Sequence, residues 1–129
     1  MTGLFIYMEK KDSFIVNRIK SIGFAFKGAY LLLTTEASLK VQFVIAIIIT
    51  AAGLYFELSS IEWCIQILVI ALVMAVEGVN TVIEEIADFI HPAYHPKIGL
   101  IKDLAAGAVF IVAIAAVVVG CIIYIPKIF

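Results

Sequence analysis

The stretch Val76-Glu77-Gly78-Val79-Asn80-Thr81-Val82-Ile83-Glu84-Glu85-Ile86-Ala87-Asp88 decides how this chain is read. It grows out of the run Ile65 to Val76, read as continuously apolar, and carries that run's helical period into charged territory. At about 100° per residue, Asn80 lies roughly −60° from Glu77, Glu84 roughly −20° and Asp88 roughly +20°. These polar groups, all carboxylic but Asn80, therefore share an arc of about 80° on one helix face. Ionisable groups at the end of a membrane segment are costly unless paired, hydrated or metal-bound, and so mark function. A solvated helix end is the plain alternative. It accounts for Glu85, about 80° off the stripe, but not for Glu77 and Asn80, which sit deeper in the apolar run.

The composition sets the medium. The 129 residues are 64% hydrophobic and 15% charged, with mean hydropathy +1.17. So short a chain has too little interior to hide that much apolar surface in a soluble core. This predicts an integral membrane protein, one domain over residues 1–129. A net charge of −1 offers no basic face and argues against a nucleic-acid partner. Cys64 and Cys121, each in or beside an apolar run, are expected as buried free thiols, and no metal-ligand spacing is present. Leu4 to Met8 is too short an apolar core for a signal peptide.

Along the chain, residues 1–12 read as a frayed lead-in. Asp12 or Ser13 caps a helix over 13–35, in which Arg18, Lys20 and Lys27 interrupt Phe14, Ile15, Ile19, Ile22, Phe26, Tyr30 and Leu33. Such an amphipathic helix lies in the headgroup region. Crossings are expected over 41–58, 61–89 and 103–124, the first just long enough for a core of about 30 Å at about 1.5 Å per residue. Trp63 is placed as an interfacial anchor. His91-Pro92-Ala93-Tyr94-His95-Pro96 stops the second crossing, since proline disfavours helix at the residue before it. The third ends near Tyr124, before Pro126, and its Ala105-Ala106-Gly107-Ala108 suits close helix contact in lipid. The fold class is all-α: a surface helix plus three transmembrane helices.

Basic residues orient the chain. With a cytoplasmic amino terminus, Lys10, Lys11, Arg18, Lys20, Lys27, Lys40, Lys97 and Lys102 lie inside and only Lys127 outside. Glu36, Glu84, Asp88, Lys102 and Asp103 then share the cytoplasmic interface, with Glu77 beneath it.

Carboxylates and a lysine at that boundary suit Mg²⁺ and phosphates, because Mg²⁺ takes carboxylate and phosphate oxygens together. Glu84 and Glu36 are candidate ligands, and Lys102 meets phosphate charge. Glu77 is placed to take a proton from a lipid alcohol, the base that phosphoryl transfer needs. The familiar glycine-rich nucleotide motifs are missing. His91 and His95 have metal-pair spacing, but the prolines around them disfavour a helical ligand face. A proton- or cation-coupled transporter is one rival; it predicts charge near the midplane and an internal repeat, whereas here the charges crowd one face and the three crossings show no repeat. A non-catalytic membrane subunit is another; it has no need of Lys102-Asp103 or of Glu36. Burying Glu77 and Asn80 in so thin a bundle calls for a partner surface.

The pattern Glu77-x-x-Asn80-Thr81-x-Ile83-Glu84-x-x-x-Asp88, then Tyr94-His95, then Lys102-Asp103-Leu-Ala-Ala-Gly-Ala-Val109, resembles the bacterial membrane-embedded diacylglycerol kinase and undecaprenol kinase family. Lys20, Gly23, Lys27, Gly28 and Glu36 extend the likeness over about residues 17–124. The resemblance implies a homotrimer with shared sites in the bacterial inner (cytoplasmic) membrane, ATP as co-substrate, Mg²⁺, and a lipid hydroxyl as acceptor. It assigns proton acceptance to Glu77 and metal holding to Glu36 and Glu84. Tyr94, His95, Lys102 and Asp103 fall along the nucleotide, with Asn80, Asp88 and Lys20 in support. There is one departure: the family's arginine near the start of the surface helix aligns with Asn17, and Arg18 stands one residue beyond. The loops Ser59-Ser60-Ile61-Glu62-Trp63 and His91 to Pro96 look more like the undecaprenol kinase branch, so undecaprenol is the expected acceptor and diacylglycerol the alternative.

Overall fold

A computed structural model describes residues 13–129, so the expected lead-in over 1–12 and the signal-peptide reading of Leu4 to Met8 lie outside the described residues. The described chain is all-helical: α1 Phe14–Thr35, α2 Ala37–Tyr55, α3 Ser60–Ile90 and α4 Pro96–Ile128. It divides into two compact units, one ending at Glu36 and the other Ala37–Phe129.

In the first unit Ser13 caps α1, its hydroxyl accepting from the Val16 amide at 3.4 Å. That satisfies one of the amides a helix start leaves unpaired. The helix stops where Glu36 turns extended (φ −92°, ψ 119°), although its N–H still bonds Leu32 O. Phe14, Ile15, Ile19, Ile22, Phe26 and Tyr30 are all exposed, and nothing in α1 is buried.

In the second unit α2, α3 and α4 are each long and apolar enough to cross a membrane. α3 packs against α4 along its length and against α2 over a shorter stretch. The α2–α3 turn is tight. Leu58 N–H bonds Gly53 O at 3.1 Å and Glu57 N–H bonds Leu54 O at 3.4 Å. Glu57 between them takes the left-handed conformation, φ 54°. This is the Schellman closure, with buried Leu58 as its hydrophobic contact. The first crossing therefore ends at Tyr55, earlier than expected, and Leu58 belongs to the turn. Ser59 then opens α3 with a capping box: its amide donates to Glu62 Oε1 at 2.9 Å and its hydroxyl accepts from the Glu62 amide at 3.2 Å. Trp63, expected as an interfacial anchor, lies across Gly53, where a Cβ would stand 2.7 Å from its Cη2.

The last helix outruns its expected limits at both ends. Pro96 begins it rather than delaying it, because a proline in the first turn lacks only an amide with no intrahelical partner. Pro126 lies inside the helix, in the last turns, where the missing amide removes a single bond; Phe129 N–H still reaches Ile125 O at 3.1 Å.

Burial is inverted relative to a soluble bundle. On α3 the buried residues are Gln66, Glu77, Gly78 and Ala87, while Leu68, Leu72, Val79 and Val82 face outward. Polar and small groups inside with large apolar groups outside is the pattern of helices bathed in lipid. Two sequence readings change here. Gln66 breaks the run from Ile65 to Val76, and it is buried. Cys64 and Cys121 are free but exposed, on outward faces of their helices. Of the small-residue run only Ala105 is buried, and Gly107 has open space where a Cβ would go, so within this chain the run makes little close contact.

Candidate functional site

Because α3 is unbroken from Ser60 to Ile90, Glu77, Asn80, Glu84 and Asp88 share one face of it. Along that face exposure rises. Glu77 is 8% exposed, Asn80 is half-buried, and Glu84 and Asp88 are exposed. Asn80 Oδ1 is itself buried and accepts no hydrogen bond from the described residues. The Thr81 hydroxyl donates to the backbone carbonyl of Glu77 at 3.2 Å, which leaves the Glu77 carboxylate clear of that contact. Glu85 is exposed like Glu84, so helix phase, not burial, is what distinguishes the two.

Two contacts fix how α4 runs beside α3. Lys102 Nζ donates to Asp88 Oδ1 at 2.6 Å, and the Tyr124 hydroxyl meets Gln66 Oε1 at 2.5 Å. The intervals from 66 to 88 and from 102 to 124 are equal, so the antiparallel register holds throughout, and it sets Ala113 opposite Glu77 at the two midpoints. Lys127 and Glu62, 3.1 Å apart, close the far end.

At the Asp88 end the turn gathers several of the expected residues. His95 caps α4, its Nδ1 accepting from the Lys97 amide at 3.0 Å. Tyr94 is exposed, but its ring edge lies over Gly99, where a Cβ would come within 3.4 Å of Cε2. Lys102 and Asp103 follow on the first turns of α4, Asp103 exposed. The amide end of a helix and a lysine both favour an anion here. His91 Nδ1 is engaged with Ala93 O at 2.7 Å, and the His91 and His95 rings meet edge-on at 5.5 Å. Both Nδ1 atoms are engaged with backbone, and among the described residues no third His, Cys, Asp or Glu joins the pair.

Among the described residues no group of three His, Cys, Asp or Glu side chains converges. Mg²⁺ does not need one, since one or two carboxylates with substrate phosphates and water suffice; exposed Glu84, on the helix that carries Glu77, fits that requirement. Arg18, Lys20 and Glu36 belong to the first unit. There Arg18 Cζ stands 5.4 Å from the Phe14 ring centroid, and Glu36 forms the C-cap of α1.

Sequence reading missed a polar cluster at the opposite end of the bundle. Gln66 Nε2 donates to Ile49 O at 3.4 Å, and the Tyr124 hydroxyl lies 3.2 Å from the same carbonyl and 2.5 Å from Gln66 Oε1. The signal was present: Gln66 falls about 20° from Glu77 on the same face, and a lone polar group in an apolar run calls for a partner.

Over residues 23–124 the sequence matches the family model described as prokaryotic diacylglycerol kinase. It is 35% identical over 108 residues to the undecaprenol kinase of Bacillus subtilis, covering 84% of this chain and 88% of that relative. It is also 35% identical over 112 residues to a diacylglycerol kinase of Synechocystis sp., covering 85% of this chain and 63% of that relative.

Proposed function

Since this chain belongs to the prokaryotic diacylglycerol kinase family and is a lipid kinase, we propose that it transfers the γ-phosphate of ATP to the hydroxyl of undecaprenol at the cytoplasmic face of a bacterial membrane. The observation that carries this reading is the gradient along α3, from buried Glu77 to exposed Glu84 and Asp88 on one face. A lipid hydroxyl lives at the apolar end of such a gradient and a nucleotide at its wet end. Glu77 takes the hydroxyl proton as the acceptor oxygen attacks the γ-phosphorus, and the bond to the β-phosphate oxygen breaks to release ADP. Glu84 and Glu36 would hold Mg²⁺, which when bound neutralises charge on the phosphates.

Lys102, steadied by Asp88, adds positive charge beside the phosphates. Tyr94, His95, Asp103 and Arg18 flank the nucleotide, and Asn80 and Lys20 orient the groups between. A homotrimer completes the site: the surface helix carrying Lys20 and Glu36 lies over a neighbour's α3 and supplies the polar partner that Asn80 Oδ1 lacks among the described residues of its own chain. Support for undecaprenol over diacylglycerol comes from the loops Ser59 to Trp63 and His91 to Pro96, which look more like the undecaprenol kinase branch.

The test is transfer of γ-labelled phosphate by the purified protein in mixed micelles, with undecaprenol and diacylglycerol assayed side by side, with and without Mg²⁺. Labelled undecaprenyl phosphate formed only with Mg²⁺ is the expected result. Labelled phosphatidic acid as the main product moves the acceptor to diacylglycerol, and label in neither lipid overturns the reading.

A further inference from the structure

Between α2, α3 and α4 runs an apolar groove of about 440 Å³, and its floor is the same face of α3 that carries Glu77. That floor is Gln66, Val69, Ile70, Val73 and Met74; Glu77 is the next residue of the face, one turn beyond Val73 and Met74. Ala113, which the register sets opposite Glu77, is the innermost α4 residue of the lining, so the groove reaches the level of the proposed base. At that end Gln42 Oε1 is buried and accepts no hydrogen bond from the described residues.

The other end of the lining coincides with a hydrogen-bonded cluster. The outermost lining residue of α2 is Ile49, of α3 Gln66 and of α4 Tyr124. These are the members of the hydrogen-bonded cluster that ties the helices together. An apolar groove that ends at each helix on the same polar knot has a defined length. From Gln66 to Glu77 the helix rises about 16 Å at 1.5 Å per residue, the span of roughly twelve carbon–carbon bonds in zigzag.

We propose that this groove holds the first part of the acceptor lipid's hydrocarbon chain, and that Gln66 and Tyr124 form its stop, determining how much chain is bound before it must leave sideways into the bilayer. The proposal rests on the lipid-alcohol kinase reading above. Glu77 sits at one end of a measured length and the stop at the other, so the enzyme selects on the segment of chain nearest the hydroxyl. A chain about as long as the groove fits whole; a longer one bends out at Tyr124. A bilayer acyl chain or a helix of a second copy in the groove would give no such selection.

The experiment compares kcat/KM for farnesol, geranylgeraniol and undecaprenol, which share a hydroxyl and differ in chain length, in the wild type and in Tyr124→Ala. Removing the stop lets the longer chains continue along α3. The undecaprenol-to-farnesol ratio should therefore rise by about tenfold, the low end of what one methylene of fit in an apolar pocket is worth. Gln66→Ala opens the same end from α3 and carries the same expectation if Tyr124→Ala does not fold. An unchanged ratio in a folded variant overturns the stop, as does an equal loss on all three alcohols, which marks the cluster as a structural clamp only. If the wild type phosphorylates none of the alcohols, the polyprenol reading fails and this inference with it, an outcome distinct from both.

Discussion

Lys102 Nζ lies 2.6 Å from Asp88 Oδ1, across the turn that joins α3 to α4. Both side chains are partly exposed, and an exposed pair contributes little to stability. Its effect is positional: it steadies a cation beside the amide end of α4. Asp88→Asn is therefore expected to melt close to the wild type while raising KM for ATP, and Lys102→Gln to raise that KM further. A large drop in melting temperature for Asp88→Asn would show that the pair holds the hairpin together instead.

Glu77→Gln keeps shape and volume and removes the proposed proton acceptor. Turnover should fall by about 10²–10⁴-fold, the usual worth of a general base, while equilibrium nucleotide binding persists. Activity near the wild-type level would remove Glu77 from the chemistry.

Glu84 and Glu85 are both exposed and adjacent, so only helix phase separates them. Glu84→Gln should raise the Mg²⁺ concentration needed for half-maximal activity, since it removes a proposed hard oxygen ligand; Glu85→Gln should leave it in place. Titrating Mg²⁺ against activity decides, and equal sensitivity of the two would refute the facial argument.

A site shared between subunits predicts complementation. Glu36→Gln and Glu77→Gln, each inactive alone, should regain activity when mixed, because mixed oligomers contain sites with both carboxylates intact. Background activity after crosslinking has confirmed subunit exchange would mean that each chain builds its own site.

Gly53→Ala places a Cβ 2.7 Å from Trp63 Cη2 and 3.0 Å from Leu58 Cδ1. The ring must move, at a cost of about 1–3 kcal/mol for overpacking. Trp63 is the sole tryptophan, so a shift in its emission together with lower thermal stability in micelles reports the change directly. Unaltered emission and stability would mean that the hairpin absorbs the methyl elsewhere.

The sequence by itself determined the medium, the helices and the stripe. Apolar excess in so short a chain leaves lipid as the only solvent, and helical period places Glu77, Asn80, Glu84 and Asp88 on one face whatever packs against it. These are local properties, carried by composition and by about 100° per residue. The family motif, too, is a run of residues along one chain. Only the tertiary structure decided what depends on which residues of different helices meet. Pro96 could be read as a breaker until its place in the first turn of α4 showed it as a start. That Trp63 packs over Gly53 was likewise not readable along the chain. Gln66 passed as part of an apolar run because its partners, Tyr124 and Ile49, lie far along the chain and reach it only through the register of two helix pairs. A hydrogen bond between helices is set by rotation and offset of one helix against another, and neither quantity is written in the period of either sequence.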